Sequence, residues 1–180
     1  IADGKVVKMS TRKANFITLD ELIDEEGRDA VRYFFIMRDL KTHLNFDIEL
    51  AKKSTDENPV FYLQYAHARI SSIIRMTEKE GLEPNLQNLH QLNSVEELDL
   101  IKKMHHYPEE IEFAALNFEP NKISNYLEEL AALFHRFYAA HRILGSEKNL
   151  AEARIALVLA VKQVIKNGLG LLSVTAPDKM

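Results

Sequence analysis

Residues 58–81 restrict the fold more than any other part of this chain. Asn58-Pro59 punctuates the chain, since proline, with its fixed φ and missing N–H, is favoured in the first turn of a helix. No further proline or glycine follows until Gly81, a residue suited to the left-handed position that closes a helix. A helix over 59–80 is therefore expected. Two more long helices are expected over 120–144, stopped by Gly145, and over about 149–167, stopped by Gly168. In the last, Leu157, Val158, Val161, Val164 and Ile165 fall on the core side, while Ile155, Leu159, Lys162 and Lys166 share another register.

Shorter elements fill the gaps. Thr18-Leu19-Asp20-Glu21 spells a capping box, and its helix should stop at Gly27. A second helix over 29–38 carries the run Tyr33-Phe34-Phe35-Ile36-Met37 and must be largely buried. Asp47 can cap a helix running to about residue 57, and 82–93 shows no period and reads as a connector. Ser94-Val95-Glu96-Glu97 is another capping box, opening a helix that ends before Tyr107-Pro108; 108–117 is the next. The tail is expected to pack through Leu171, Leu172 and Val174. At the front, an Asp3-Gly4 turn between short apolar pieces reads as the end of a β-hairpin, with a polar loop over 8–15. The expected architecture is an all-α helical bundle with a β fragment at its N-terminal end.

Composition narrows the function classes. The 180 residues are 46% apolar and 28% charged, as in ordinary globular proteins, and can bury a real core. There is no cysteine, so disulfides and thiolate metal sites are unavailable, which fits a reducing compartment. No apolar run approaches the roughly 18 residues that span a bilayer, making the cytoplasm the expected location. A net charge of −4 argues against indiscriminate nucleic-acid binding. The charge is segregated, however: acids dominate 83–130, whereas Arg136, Arg142, Lys148, Arg154, Lys162, Lys166 and Lys179 tip the balance beyond it. Such a field can orient a polyanion, and it also fits solvated helix faces with random bias.

Two patches carry candidate chemistry. Tyr62, Tyr65 and Arg69 are spaced i, i+3 and i+7, so they share one stripe of the long helix. Two phenols and a guanidinium can stack splayed bases and bind a phosphate or base edge, as single-stranded RNA loops require. The same spacing also fits two core tyrosines with their hydroxyls satisfied at the rim. Ala66 and His67 sit off that stripe and read as structural. In the second patch, Tyr138 and Arg142 at i, i+4 can present a ring and a cation together, with Phe134 and Phe137 as core. The seven histidines suggest no metal site: His105 and His106 point to different faces, His135 and His141 diverge, and Glu-His pairs lack a third partner.

A third motif, Lys8-Met9-Ser10-Thr11-Arg12, resembles the KMSKS loop of class I aminoacyl-tRNA synthetases, in its KMSTR form. Asn15 to Leu22 (NFITLDEL), Asp29 to Phe34 (DAVRYF), the block Asn58-Pro59-Val60-Phe61-Tyr62-Leu63-Gln64-Tyr65-Ala66-His67-Ala68-Arg69, and the closing Ala176-Pro177-Asp178-Lys179-Met180 are similar to bacterial arginyl-tRNA synthetases. The resemblance covers essentially the whole chain. KMSTR is common among the arginyl members, although Thr11 stands where the general motif has its second lysine.

That resemblance implies a division into 1–17 (end of a catalytic domain, with the loop), 18–57 (connecting helical subdomain) and 58–180 (an anticodon-binding α-bundle of the DALR type). Because the chain opens on Ile1 and no nucleotide-binding sheet precedes the loop, it reads as the C-terminal piece of a larger enzyme. The intact enzyme is expected to join arginine to tRNA(Arg) through an adenylate, with ATP and Mg²⁺ as substrates and with bound tRNA needed for activation. Lys8, Met9, Ser10, Thr11 and Arg12 would meet the ATP phosphates, where ammonium groups stabilise departing pyrophosphate. Tyr62, Tyr65, Arg69, Tyr138, Arg142 and Met180 would meet the anticodon. No metal is held by the bundle and no membrane is a partner. A class I synthetase of the cysteinyl type and a free-standing helical adaptor for RNA or protein are the competing readings, and a His-x-Gly-His motif upstream would separate the last.

Overall fold

The computed structural model of this chain describes residues 17–180, which are helical with no strand among the described residues. The hairpin expected over 1–7 and the loop over 8–15 lie outside them. Thr18 Oγ1 accepts from the Glu21 N–H at 3.2 Å, and Glu21 Oε2 accepts from the Thr18 N–H at 2.7 Å. This reciprocal box starts α1 (Leu19–Glu26), and α2 (Arg28–Ile36) follows across Gly27. Asp47 caps α3 (Ile48–Lys52), which stops short of the expected end near residue 57. The cause is Asn58: its amide donates to the carbonyls of Ala51 at 3.0 Å and Lys53 at 2.9 Å, taking acceptors that further helical N–H groups would have used.

Helix α4 (Pro59–Lys79) begins and ends as the sequence predicts, with the Asn58 side chain accepting from Val60 N–H at 3.2 Å. The connector beyond it is not irregular throughout, since Leu86–Gln91 forms a 3-10 helix lying on the far end of the bundle. Helices α5 (Val95–His105), α6 (Tyr107–Asn117), α7 (Asn121–Ala140) and α8 (Lys148–Leu171) complete the order.

Two further expected boundaries move. Helix α7 ends at Ala140 rather than Leu144, because His141 turns extended and Arg154 on α8 draws the next carbonyl, that of Arg142, onto its Nη1 at 2.7 Å. Gly168 does not stop α8, which runs through it. Its lack of a side chain serves packing: a Cβ there would lie 2.6 Å from Leu127 Cδ2 on α7.

The core runs along α7, whose Leu127, Leu130, Phe134 and Phe137 are fully buried between α4, α5 and α8. Opposite them lie Leu63, Ala66, Ile70 and Ile73 of α4 and Val158, Val161, Ile165 and Leu169 of α8. Each large side chain contributes about 1.5–3 kcal/mol by leaving water. Ile155, which the sequence places in another register from the core-side residues of α8, is buried as well, because the 3-10 segment and α5 cover that part of the helix.

Helix α2 ties the first three helices to this bundle. Tyr33 is fully buried and its hydroxyl donates to Glu128 Oε1 on α7 at 2.6 Å, while Arg32 Nε donates to the Leu172 carbonyl at 2.6 Å. Burial pushes the Tyr33 phenol far above its ordinary pKa and also raises the Glu128 carboxyl. The bundle therefore presents the outer sides of α4 and α7 next to each other, with their aromatic residues between them.

Candidate nucleic-acid interface

Helix α4 turns Leu63, Ala66, His67, Ile70 and Ile73 inward, so its 3.6-residue period carries Tyr62, Tyr65 and Arg69 outward together. Tyr62 is half-buried, Tyr65 is 40% exposed and Arg69 is exposed. Their neighbours come from α7. The His135 ring centroid lies 5.0 Å from that of Tyr62, tilted by 44°, and 6.0 Å from that of Tyr65, nearly parallel at 17°. Phe61 extends the ladder, stacking on Tyr65 at 6.3 Å. One turn further along, Arg69 places its guanidinium 5.0 Å above the centre of the Tyr138 ring, and Tyr138 in turn stacks on buried Phe134 at 6.0 Å. Rings backed in this way lose little freedom when a base stacks on them.

Between the helices lies an open concavity of about 740 Å³ lined by Tyr62, Leu133, His135 and Arg136 among others. A smaller one of about 270 Å³ lies beyond Tyr138, where Met76, Tyr138 and Arg142 meet. Arg142 sits past the end of α7, so the helical i, i+4 pairing expected with Tyr138 is replaced by a shared rim. What holds it there is a buried network. Arg154 Nε pairs with Glu97 Oε1 at 2.7 Å and its Nη1 holds the Arg142 carbonyl, while His141 bonds Glu96 at 2.9 Å. Glu97 also accepts from the N–H groups of Asn93 and Ser94 at 3.0 Å, and these bonds, with Arg154, keep its carboxyl ionised below the usual range despite burial.

The groove has two electrostatic ends. Asp56, Glu57, Glu128 and Glu129 border Tyr62. Towards the other end come Arg69, one turn past Tyr65, and Arg142 in the smaller concavity, whereas Arg136 shares the larger one with Tyr62 and Glu129; Arg136 and Arg142 form no ion pair among the described residues. A polyanion lying along the groove would enter with its phosphates on the arginine side. Burial, followed by the nearby Arg69 charge, lowers the His135 pKa, so the ring is neutral near pH 7; burial raises the Tyr62 phenol, which stays protonated.

The tail lies on the opposite flank of α4. Gln64, His67, Ser71 and Arg75 form that flank, spaced as one helical stripe. His67 Nδ1 lies 2.8 Å from the Pro177 carbonyl, Ser71 donates to Asp178 Oδ1 at 2.8 Å, and Arg75 donates to the Asp178 carbonyl at 3.1 Å. Met180, two residues on, is 57% exposed.

The structure thus brings Tyr62, Tyr65, Arg69 and Tyr138 together where α4 meets α7, with Arg142 sharing the smaller concavity with Tyr138. Lys8, Met9, Ser10, Thr11 and Arg12 lie outside the described residues. Buried Ala66 and His67 are structural, and Phe134 and Phe137 are core, in line with the sequence reading. Sequence reasoning missed Phe61, Arg136 and above all His135. Phasing α7 on Tyr138 would have found His135, three residues earlier on the same stripe.

A helical bundle bearing a groove of backed rings and unpaired guanidinium groups has the features of a module for unpaired bases. Residues 63–180 match the DALR anticodon binding domain, and the chain belongs to that family. It is 52% identical over its whole length to an arginine-tRNA ligase of Caldanaerobacter subterraneus subsp. tengcongensis and 51% identical over 98% of its length to that of Geobacter metallireducens. The chain spans about a third of the length of these relatives (33% and 32%). Among solved structures, the Thermus thermophilus arginyl-tRNA synthetase superposes with a TM-score of 0.72 at 26% identity, covering 94% of this chain and 29% of that one.

Proposed function

We propose that this chain is the anticodon-binding part of an arginine-tRNA ligase, and that the α4–α7 groove grips the anticodon loop of tRNA(Arg). One observation carries the reading: His135 joins Tyr62 to Tyr65 by ring contacts and one turn on Arg69 rests on Tyr138, a patch on the adjoining sides of α4 and α7 that lies mostly within the matched family region. Bases splayed out of the loop stack on Tyr65 and Tyr62, and their phosphates meet Arg69, Arg136 and Arg142. Met180 reaches the loop from the tail's side of α4.

The relatives' names and the KMSTR sequence support the rest of the proposal. The whole enzyme joins arginine to tRNA(Arg) with ATP and Mg²⁺ as substrates, in the cytoplasm. No helix among the described residues is long and apolar enough to cross a membrane. Lys8, Met9, Ser10, Thr11 and Arg12 form the loop that meets the ATP phosphates. Residues 1–17 close the catalytic domain, 18–57 connect it, and 58–180 form the anticodon-binding bundle, a boundary supported by the start of α4 at Pro59.

Binding of tRNA(Arg) transcript to the full chain tests this reading. Affinity should drop when the anticodon loop is replaced and the rest of the transcript kept, and it should fall steeply with salt, because phosphate contacts supply much of it. Equal affinity for the native and loop-replaced transcripts would overturn the assignment of the groove.

A further inference from the structure

His67, His90, His106 and His141 each engage a ring nitrogen with another group of this chain. His135 does not. Its Nε2 is buried without a hydrogen-bond partner, and Nδ1 has none among the described residues. Its ring meanwhile lies against Tyr62 and Tyr65 and lines the concavity between α4 and α7. The buried Nε2, like the equally unpartnered Nε2 of His67, is closed to solvent, so the nitrogen open to a ligand is Nδ1, on a ring that lines the concavity.

We infer that His135 is a specificity residue, whose imidazole edge hydrogen-bonds an unpaired RNA base stacked on Tyr65. This rests on the groove binding an RNA loop, as proposed above, and adds that one base is read by its edge rather than held by stacking alone. Stacking tolerates every base because every base has a π-face, and arginine-phosphate contacts carry no sequence. The open imidazole nitrogen presents a donor or an acceptor, set by the tautomer, at a fixed position, which distinguishes one base edge from another. Burial first and then the Arg69 charge on α4 oppose a positive ring, against Asp56, while Arg136 and Glu129 line the same concavity. A neutral ring also avoids simple attraction to phosphate, which would favour all sequences alike.

The test uses the full chain with three variants. His135→Phe keeps a ring in the ladder and removes both nitrogens; His135→Gln keeps hydrogen-bonding capacity and removes the ring; Tyr65→Ala removes the stacking platform. Dissociation constants are measured at fixed salt for tRNA(Arg) transcript and for transcripts substituted one base at a time in the anticodon loop, with melting curves to confirm folding. His135→Phe should bind the native transcript about five- to tenfold more weakly, as expected for one lost hydrogen bond. For one substituted transcript that penalty should vanish, identifying the base that is read, and His135→Gln should recover part of the discrimination.

If His135→Phe binds every transcript as the wild type does while Tyr65→Ala loses affinity, His135 is only a packing wedge and this inference falls. If Tyr65→Ala also keeps full affinity, the RNA-binding reading falls with it. A uniform loss across all transcripts in His135→Phe would likewise overturn base reading.

Discussion

His67 and His135 face opposite flanks of α4, and burial lowers the pKa of both. On the tail's flank, most polar groups are spent inside the chain, although His67 Nε2 is buried without a hydrogen-bond partner. His67 meets Pro177, Ser71 meets Asp178, and Gln64 donates to Asp29 Oδ2 at 2.9 Å, the same carboxylate that accepts from the Thr175 N–H at 3.1 Å. On the groove's flank, Tyr62 and Tyr65 share His135 through ring contacts, Arg69 rests on Tyr138, and neither ring nitrogen of His135 has a partner among the described residues. The first flank closes the fold, and the second is left with capacity to bind. The contrast separates structural from functional polarity on one helix, where residue types alone could not.

The largest effect is expected beneath the groove's far end. Arg154→Ala strands the buried Glu97 carboxylate and releases the Arg142 carbonyl, so stability should fall by about 3–5 kcal/mol, read by denaturant unfolding. A loss under about 1 kcal/mol would mean that water reaches Glu97 and that the network does not anchor Arg142.

Under the proposed function, residues 8–12 give a kinetic counterpart. In the intact enzyme, Lys8→Ala should slow adenylate formation by about 10²–10³-fold, the scale for removing one group that stabilises transition-state charge, while tRNA affinity stays near wild type. Equal losses in rate and affinity would assign the loop a structural role instead.

Tyr65→Ala sharpens the comparison directly. The ring is 40% exposed, so its removal should cost little stability but about 1–3 kcal/mol of tRNA affinity. On the other flank Asp178→Asn should do the reverse. Its carboxylate, held down to a pKa of about 2 chiefly by Lys162, is 65% exposed, so the change in stability should stay below about 1 kcal/mol and transcript affinity should be unchanged. If Asp178→Asn weakened RNA binding as much as Tyr65→Ala, the two flanks would not be functionally distinct, and the anchoring of Met180 would be part of the site.

Much of this was legible in the sequence because it is written locally. Thr18 with Glu21, Ser94 with Glu97, and Asn58-Pro59 each fix a helix start through atoms a few residues apart. The Tyr62, Tyr65 and Arg69 stripe follows from one helical period. What escaped the sequence depends on partners far along the chain. Arg154 reaching Arg142 shortens α7, Asn58 cuts α3 short, and Leu127 makes Gly168 a packing residue rather than a stop. The part played by His135 escaped for the same reason, since it exists only where α7 lies against α4.

The smallest expected effect is the pH dependence of the two histidines. Their folded pKa values lie below that of the unfolded chain, so acidification loads protons on the unfolded state first. Stability from both is fully present above about pH 6.5 and is lost as pH falls from there toward their folded values. Glu128 works in the opposite sense, because burial raises its pKa and the folded state holds that proton longer as pH rises from about 4.5. Total slopes therefore mix signs, and the informative quantity is the difference between His135→Phe and wild type. That variant should flatten the stability profile between about pH 6.5 and pH 5, a window above the range in which Glu96, Glu97 and Glu109, all held below the ordinary carboxylate pKa, begin to protonate. Saturating tRNA(Arg) should steepen the profile of the wild type only, because a base bonded to the neutral imidazole opposes its protonation further. Parallel profiles for the two proteins, with and without tRNA, would place His135 in water and remove the asymmetry between the flanks.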